Sequence, residues 1–448
     1  MEEHFTSTWV ETRLEEAISV WNGCAAKQAQ MEPLYTSKEQ RKRERSYDEG
    51  LRAVEREAKR LARSRAEMLE AQKRIVAIFP PFATVALGLD EDAVELLTDH
   101  FLPAGTQLAR WAKRFDANLS IADITQACRN AWTACGLQSL MGEPIRLTPA
   151  ILGYSLLYPY SDNYLDQVSL SRKEKMNFSW RFRDRLCGVR LAPRTRHEAA
   201  VWALVELIEE QYERSAYPQV FDSMLAIHRA QEDSIAQLNG PTCDAAEMLR
   251  ISFAKGGTSV LTDACLSHGW LNQEESRFAF EWGVLLQLGD DLQDLREDMQ
   301  RGSITFFTRA AAMRIPLDGL VNQLLSLSDH VAERMDRLPK GTPVLKNLLR
   351  MSWRSLVQMA VAGTQEFFTP RFLADLERSS PFGFNFQRER QKRLKGRQDL
   401  HAIIYDAFIE NCEADRSGLP SPEGRLESCL DNHTSGFACA ASLENAIA

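Results

Sequence analysis

Four aspartates follow an apolar stretch in the second half of the chain, at Asp290, Asp291, Asp294 and Asp298. An α-helix repeats about every 3.6 residues, so this spacing turns all four side chains roughly one way. Like charges at such spacings repel and weaken a helix by a few tenths of a kcal/mol per pair. A cation opposite them would relieve the repulsion, and oxygen ligands alone suit a hard ion such as Mg²⁺. The stretch therefore predicts a magnesium site.

A second carboxylate pair, Asp162 and Asp166, shares one helix face at the spacing i, i+4. It ends a stretch that begins at Thr148-Pro149, where threonine suits the cap of a helix and proline its first position. The first half of that stretch is almost wholly apolar, so we expect it to be buried. One such pair is usually solvated surface. Two pairs, each at the end of a buried helix, favour two metal-binding clusters at the rim of one helix-lined cavity, because carboxylates at depth are costly unless paired or metal-bound.

Facing clusters of this kind would bind a phosphate-rich ligand through shared Mg²⁺ ions, and a diphosphate is the natural candidate. Metal ions would make it a good leaving group, because the charge that develops is stabilised where it forms. If the rest of the substrate is an apolar chain, ionisation leaves a carbocation, which an apolar, aromatic lining shields from water and attracts. The helix that begins at Thr148-Pro149 offers Tyr158 and Tyr164 for this lining, with Tyr154 and Tyr160. Tyrosines in such a helix are more often core residues.

Basic residues near the clusters are candidates for contacts with the diphosphate. Lys255 precedes Gly256-Gly257, which we expect to interrupt a helix and bring the backbone close to a ligand. Arg301 follows the second cluster, and Arg129 lies on the helix before the first. The alternatives are an exposed lysine at a helix end for Lys255 and a core ion pair for Arg129. We interpret the histidines His197, His228 and His268 as structural.

No stretch alternates apolar and polar residues with a period of two for long, so the segments that position these groups are all predicted to be helices. The chain is therefore predicted to be all-α. The predicted helices cover residues 1–30, 38–74, 90–111 (with a break near 103–105), 120–140, 148–168, 196–214, 218–238, 245–254, 259–268, 273–300, 317–338 and 344–368.

Changes in composition divide the chain into three predicted regions. Residues 1–74 form a charged N-terminal helical extension, residues 75–378 the catalytic bundle, and residues 379–448 a basic helix and a tail expected to be disordered. The basic stretch 387–398 could cap the active site, bind membrane phosphates or be solvated, and the last reading is favoured. A peripheral membrane contact therefore stays open, as does the oligomeric state.

Composition also excludes several classes of protein. The net charge of −8 argues against general nucleic-acid binding. The acidic N-terminus lacks the apolar segment of a signal peptide, and the longest apolar run, residues 75–89, holds two prolines and is too short for a straight membrane span. The nine cysteines include no C-x-x-C pair, so neither a disulfide frame nor a zinc site is suggested. We expect a cytoplasmic protein.

The motifs resemble those of class I isoprenoid synthases, above all the squalene and phytoene synthases and the related bacterial terpene synthases. DLREDMQRGSITFF, which holds Asp294, Asp298 and Arg301, is similar to their second aspartate motif, and SDNYLDQ to the first. The first motif is also reminiscent of the tetraprenyl-curcumene synthase group. The resemblance implies a single large antiparallel bundle with a central cavity, Mg²⁺ as cofactor and an allylic isoprenyl diphosphate as substrate. It makes Asp162, Asp166, Asp294 and Asp298 catalytic metal ligands, with Asp290 and Asp291 in support.

Departures from the family pattern leave the reaction open. The first motif is not the D-D-x-x-D of chain-elongating prenyltransferases, although DDLQD at 290–294 is similar to it. The N-D-x-x-S-x-x-x-E triad of common terpene cyclases is absent from the second site. We favour cyclisation; the alternative is head-to-head or chain-elongating coupling of two isoprenyl diphosphates. A non-catalytic helical binding protein is the rival from another class, and a hydrolase is disfavoured because no positioned base is evident. Substrate chain length and product skeleton are not given by these residues.

Overall fold

The computed structural model describes residues 8–26, 33–60, 65–166, 170–237, 244–395, 418–426 and 428–429. Within these ranges the regular structure is helical and holds no strand, which confirms the predicted all-α class. None of the helices in these ranges combines the length and apolar character needed to cross a bilayer.

The α-helices, numbered in chain order, have the following bounds. They are α1 Thr8–Gly23, α2 Ser37–Ala58, α3 Arg65–Phe82, α4 Glu91–Leu96, α5 Leu102–Phe115, α6 Ile121–Leu140, α7 Pro149–Asp166, α8 Arg172–Leu186, α9 Arg196–Gln211, α10 Pro218–Gln237, α11 Ala245–His268, α12 Gln273–Gln293, α13 Leu295–Arg301, α14 Phe306–Ala312, α15 Asp318–Arg337, α16 Pro343–Gly363, α17 Pro370–Arg378 and α18 Phe384–Lys395. Short π-helical segments, Ala83–Leu87 and Leu97–Phe101, precede α4 and α5, so the chain stays helical through the break expected near 103–105.

Helix α11 lies at the centre of the bundle, packed against α6, α7, α10 and α12. The predicted break at Gly256-Gly257 is wrong, because α11 continues through both glycines as one helix. Their absent side chains instead let α12 approach. A Cβ placed on Gly256 would lie 2.5 Å from the carbonyl oxygen of Gly283, and one placed on Gly257 would run into the ring of Phe280. The glycines therefore serve helix packing rather than a ligand.

The predicted helix over residues 273–300 is two helices, α12 and α13, joined at Asp294. Asp294 has φ −90° and ψ 5°, away from the helical value of ψ, so the chain changes direction there. The hydrogen bond from the Asp294 N–H to the Asp290 carbonyl (2.9 Å) and that from the Asp298 N–H to the Asp294 carbonyl (2.9 Å) remain. The motif is thus divided at Asp294 between the 21-residue α12, which holds Asp290 and Asp291, and the seven-residue α13, which holds Asp298.

The N-terminal region is not the single helix predicted for residues 38–74. Helices α2 and α3 form a hairpin, since Arg74 Nε lies 2.7 Å from Glu57 Oε2 and the ring of Phe82 lies against Gly50. Helix α1 belongs to the main core, where Trp21 is 2% exposed and packs edge-on against Phe253 of α11.

The C-terminal region also packs on the bundle. Helix α18, which holds most of the basic stretch, lies along α16. Among the described residues that follow, Leu426 is buried and the Pro420 carbonyl accepts a hydrogen bond from Trp111 Nε1 at 2.8 Å. Arg425 pairs with Glu210 of α9 at 2.9 Å. These contacts attach residues 418–426 to α5 and α9, and the disorder expected for the tail stays a prediction.

Candidate functional site

Helix α6 lies beside both predicted clusters. Ser120 caps its start by accepting from the Asp123 N–H at 3.1 Å. The Asn163 Nδ2 of α7 donates to Asp123 Oδ1 at 2.7 Å, which places the end of α7 next to the start of α6. Farther along α6, Arg129 interacts electrostatically with Asp290 of α12. The ends of α7 and α12 thus flank the first half of α6.

The first cluster is described only by its backbone. Asp162 and Asp166 lie in the last turns of α7, and the side chains of both fall outside the described residues. The helix itself begins as predicted, since Thr148 Oγ1 accepts from the Ile151 N–H at 3.3 Å. Whether the two clusters face one another therefore stays a prediction.

Asp290 lies on the surface at the end of α12. Its side chain is exposed to solvent, yet the surrounding protein removes enough water from the carboxyl to raise its pKa. The nearby charges of Arg129 and Lys255 act in the opposite direction and lower the pKa of the Asp290 carboxyl. Both predicted basic residues therefore lie close to this carboxylate.

Asp291 has a different environment from its neighbour. It is 7% exposed and lies at the contact of α11 and α12, where it accepts hydrogen bonds from Ser252 Oγ (3.2 Å) and Gln287 Nε2 (2.8 Å). Burial raises the pKa of Asp291 to about 7, although the hydrogen bond from Gln287 stabilises the ionised carboxylate and lowers the pKa. The charge of Asp290 raises it further. Because protein donors hold both of its oxygens, Asp291 is less available to a ligand than Asp290.

Lys255 is the cation shared by the second cluster. It is half-buried on α11 and its charge lowers the pKa of three carboxyls, those of Asp290, Asp291 and Asp298. The pKa of Asp298 is raised by burial and by Asp290, and is lowered by Arg301. Arg301 is exposed, as the last residue of α13. The structure thus brings together most of the second cluster and the basic residues that the sequence singled out.

The tyrosines of α7 have different neighbours. The Tyr160 hydroxyl donates to Asp116 Oδ2 at 2.8 Å, whereas Tyr164 stacks on His197 with a centroid distance of 4.0 Å. Tyr154 and Tyr158 both line a cavity of about 30 Å³ between α7, α8 and α10. Tyr154 also approaches the Ser259 carbonyl of α11. An aromatic lining around a substrate therefore stays a prediction.

The donor set suits magnesium in part. In the part of the chain whose side chains are described, no three acidic, histidine or cysteine side chains converge as a metal site would require. Magnesium usually keeps several waters and takes only one or two protein carboxylates beside substrate phosphates. Asp290 is near enough to Asp298 to raise the pKa of the Asp298 carboxyl, and a cation between the two would relieve this repulsion. This pair is therefore the better candidate among the described side chains.

Sequence reasoning missed a buried carboxyl on α11. Asp263 is 1% exposed, and its Oδ1 accepts from Asn130 Nδ2 of α6 at 2.9 Å. Asn130 also donates to Ser155 of α7 at 3.2 Å. The other Asp263 oxygen has no partner among the described residues, and burial raises the pKa of the carboxyl well above its usual value. An acidic residue within the apolar turns of residues 259–268 was the available signal.

Comparisons with known proteins add little to this geometry. No family model and no curated protein matches the chain. Among solved structures, the chain is similar to a polyprenyl synthetase from Streptomyces coelicolor A3(2), with 15% sequence identity and a TM-score of 0.27. The aligned region covers 74% of this chain and 98% of the other. A likeness at this level carries no argument about family or function.

Proposed function

We propose that the protein is a Mg²⁺-dependent class I isoprenoid synthase that ionises an allylic isoprenyl diphosphate near the end of α12. The observation that supports this best is the position of Lys255, whose charge acts on three carboxylates around the end of α12. A scaffold that binds neither a cation nor a polyanion gains nothing from stacking these like charges. The motif resemblance supports the same reaction class.

In this proposal the acidic residues bind the metal ions and the basic residues bind the diphosphate. Asp290, Asp294 and Asp298, with Asp162 and Asp166 from α7, would hold the metal ions. When bound, Mg²⁺ neutralises the diphosphate and stabilises it as a leaving group. The three basic residues, Lys255 on α11, Arg129 on α6 and Arg301 on α13, would contact phosphate oxygens from different sides.

The carbocation that ionisation would leave on the isoprenyl chain can react in two ways, which define two candidate reactions. We propose cyclisation within one chain, and the alternative is coupling to a second isoprenyl diphosphate. In either case the apolar interior next to α7 and α11 would exclude water. The products of single substrates and of pairs decide between the two reactions.

The test is release of inorganic diphosphate from a panel of isoprenyl diphosphates of different length, offered singly and in pairs with Mg²⁺, with analysis of the hexane-soluble products. We expect release by the wild-type protein and a loss of about 10²-fold or more in Asp290→Asn and Asp298→Asn, because each removes charge where the leaving group is stabilised. Asp92→Asn, which changes an exposed carboxylate on α4, is the matched control and should keep wild-type activity.

Two results would contradict the proposal. Wild-type protein that binds the diphosphates but releases none would favour the non-catalytic binding protein. Full activity in both Asp290→Asn and Asp298→Asn would exclude this cluster as the metal site.

A further inference from the structure

Helix α2 and the turn after it carry exposed basic side chains along one face. At about 100° per residue, these lysines and arginines fall within an arc of about 100° around the helix axis, over a length of about 33 Å. Within α2, all of which the structure describes, Glu49 is the one acidic residue in that arc. We call this face the basic stripe, and it consists of Lys38, Arg41, Lys42, Arg45, Arg52, Arg56, Lys59 and Arg60.

Other acidic residues of α2 contact the protein instead of the basic stripe. Asp48 pairs with Arg390 of α18 at 2.6 Å. The carboxylate of Glu44 accepts a hydrogen bond from the Gly383 N–H at 2.9 Å. The helix therefore uses acidic side chains to attach to the bundle and leaves its basic side chains facing solvent.

Most of the basic stripe lacks a compensating charge. Arg60 pairs with Glu57 at 2.9 Å, and none of the other seven lies in an ion pair with a described residue. Like charges at i, i+4, as at Arg41 and Arg45, weaken a helix. The chain as a whole has a net charge of −8, so this face is opposite in sign to the average of the molecule. Unpaired charge of one sign on one face indicates an anionic partner.

The surroundings of the basic stripe favour a bilayer over a nucleic acid. Leu34, just before α2, is 60% exposed, and the N–H of the next residue, Tyr35, donates to the Arg378 carbonyl at 2.7 Å. An exposed apolar side chain beside a basic helix face suits the headgroup region of a membrane and gains nothing from a phosphate backbone. Tyr47, the aromatic residue of α2, packs against Phe82, so the basic stripe offers no ring for stacking on bases.

We propose that the basic stripe binds the surface of a bilayer that contains anionic phospholipid, with Leu34 entering the headgroup region. The attraction between basic side chains and an anionic surface falls off within a Debye length. The axis of α2 therefore lies parallel to the membrane plane, because only this orientation brings the whole basic stripe close to the headgroups. This inference does not depend on the proposed function.

The test is co-sedimentation of the full chain with vesicles of phosphatidylcholine, alone or mixed with phosphatidylserine. We expect binding to the mixed vesicles only, with an affinity that falls as salt is raised. Arg41→Gln combined with Arg45→Gln should weaken this binding about thirtyfold, the effect of two basic residues at an anionic surface. The melting temperature should not fall, because the two substitutions remove a repulsion between like charges.

A second double variant and a matched control accompany the first. Arg52→Gln combined with Arg56→Gln removes another i, i+4 pair of the basic stripe and should cause a similar loss of binding. Arg337→Gln combined with Arg371→Gln changes the net charge equally at exposed positions of α15 and α17, and should bind as wild type does.

Leu34→Ser tests the apolar contact. It should weaken binding to the mixed vesicles about tenfold without changing the salt dependence, because it removes apolar area and no charge. Met313→Ser, at a site that is 59% exposed, is its control and should bind as wild type does. Equal binding to the two kinds of vesicle, equal losses in the stripe and control variants, or tighter binding to RNA oligonucleotides than to mixed vesicles at the same salt concentration would overturn the proposal.

Discussion

At the scale of single residues, neighbouring aspartates have different roles although they belong to one motif. Successive positions on a helix point about 100° apart. Asp290 therefore reaches the surface while Asp291 turns into the contact with α11. The sequence predicts the cluster and its cations Lys255 and Arg129. It does not predict which aspartate is buried, because that depends on where the partner helix Ala245–His268 lies.

Asp291→Asn tests the buried carboxyl. The pKa of Asp291 is about 7 in the folded chain, above the ordinary value of 3.8, so the folded state holds this proton more tightly than the unfolded state does. Stability contributed by this group is therefore lost as pH rises from about 4 to about 7, and is constant above that range. At pH 8 we expect Asp291→Asn to have a higher melting temperature than wild type, because the amide removes the cost of a buried charge. The rise should be about 2–4 °C for each kcal/mol gained in the free energy of unfolding. The difference in melting temperature should shrink toward pH 4.

The measurement is thermal unfolding of both proteins between pH 4 and pH 8. The exposed Asp92→Asn variant should follow the wild-type curve across this range. A difference between Asp291→Asn and wild type that does not change with pH would mean that Asp291 is ionised throughout.

At the scale of elements, caps and apolar periodicity predict several helices within a few residues. Helix Ile121–Leu140 matches the predicted range 120–140, and helix Pro149–Asp166 begins at the predicted Thr148-Pro149. Helices Arg172–Leu186, Phe306–Ala312 and Pro370–Arg378 were not predicted. Prediction failed where a glycine pair or an aspartate had to be interpreted without its surroundings. Gly256-Gly257 looks like a break in isolation, and only the approach of Gly283 explains why the helix continues.

Gly256→Ala tests this close contact of α11 and α12. The added methyl group would meet the Gly283 backbone at 2.5 Å, and backbone cannot move aside as a flexible side chain can. We expect a loss of about 1–3 kcal/mol in the free energy of unfolding in urea. Gly319→Ala, on α15 with no atom within 4 Å of its added Cβ, should instead be neutral or stabilising by up to about 1 kcal/mol. Equal stability of the two variants would contradict the role assigned to the glycines.

At the scale of the whole molecule, parts of the predicted N-terminal and C-terminal regions, residues 1–74 and 379–448, pack on the helices of the predicted bundle. Helix Thr8–Gly23 is part of the core through Trp21, and residues 418–426 return to α5 and α9. Contacts between residues hundreds of positions apart leave little trace in local composition. This is why the helical class was predictable and the attachment of both ends was not.

Trp21→Ala tests whether the first helix supports the bundle. Trp21 is 2% exposed and touches Phe253 and Phe306, so removing its ring should cost about 3–5 kcal/mol of the free energy of unfolding. Trp270→Ala removes the same ring at a site that is 59% exposed and should change stability by less than about 1 kcal/mol. Urea unfolding followed by far-UV circular dichroism compares them. Similar losses would mean that α1 is not integral to the core.

The bend at Asp294 divides the acidic motif between two helices of unequal length. Asp290 and Asp291 belong to a long helix locked to its neighbour by glycine contacts, whereas Asp298 and Arg301 belong to the seven-residue α13, which ends at the left-handed Gly302. A ligand that engages both parts binds best at one inclination of the short helix. Its apparent affinity then includes the free energy of reaching that inclination, so recognition and orientation of α13 are thermodynamically linked.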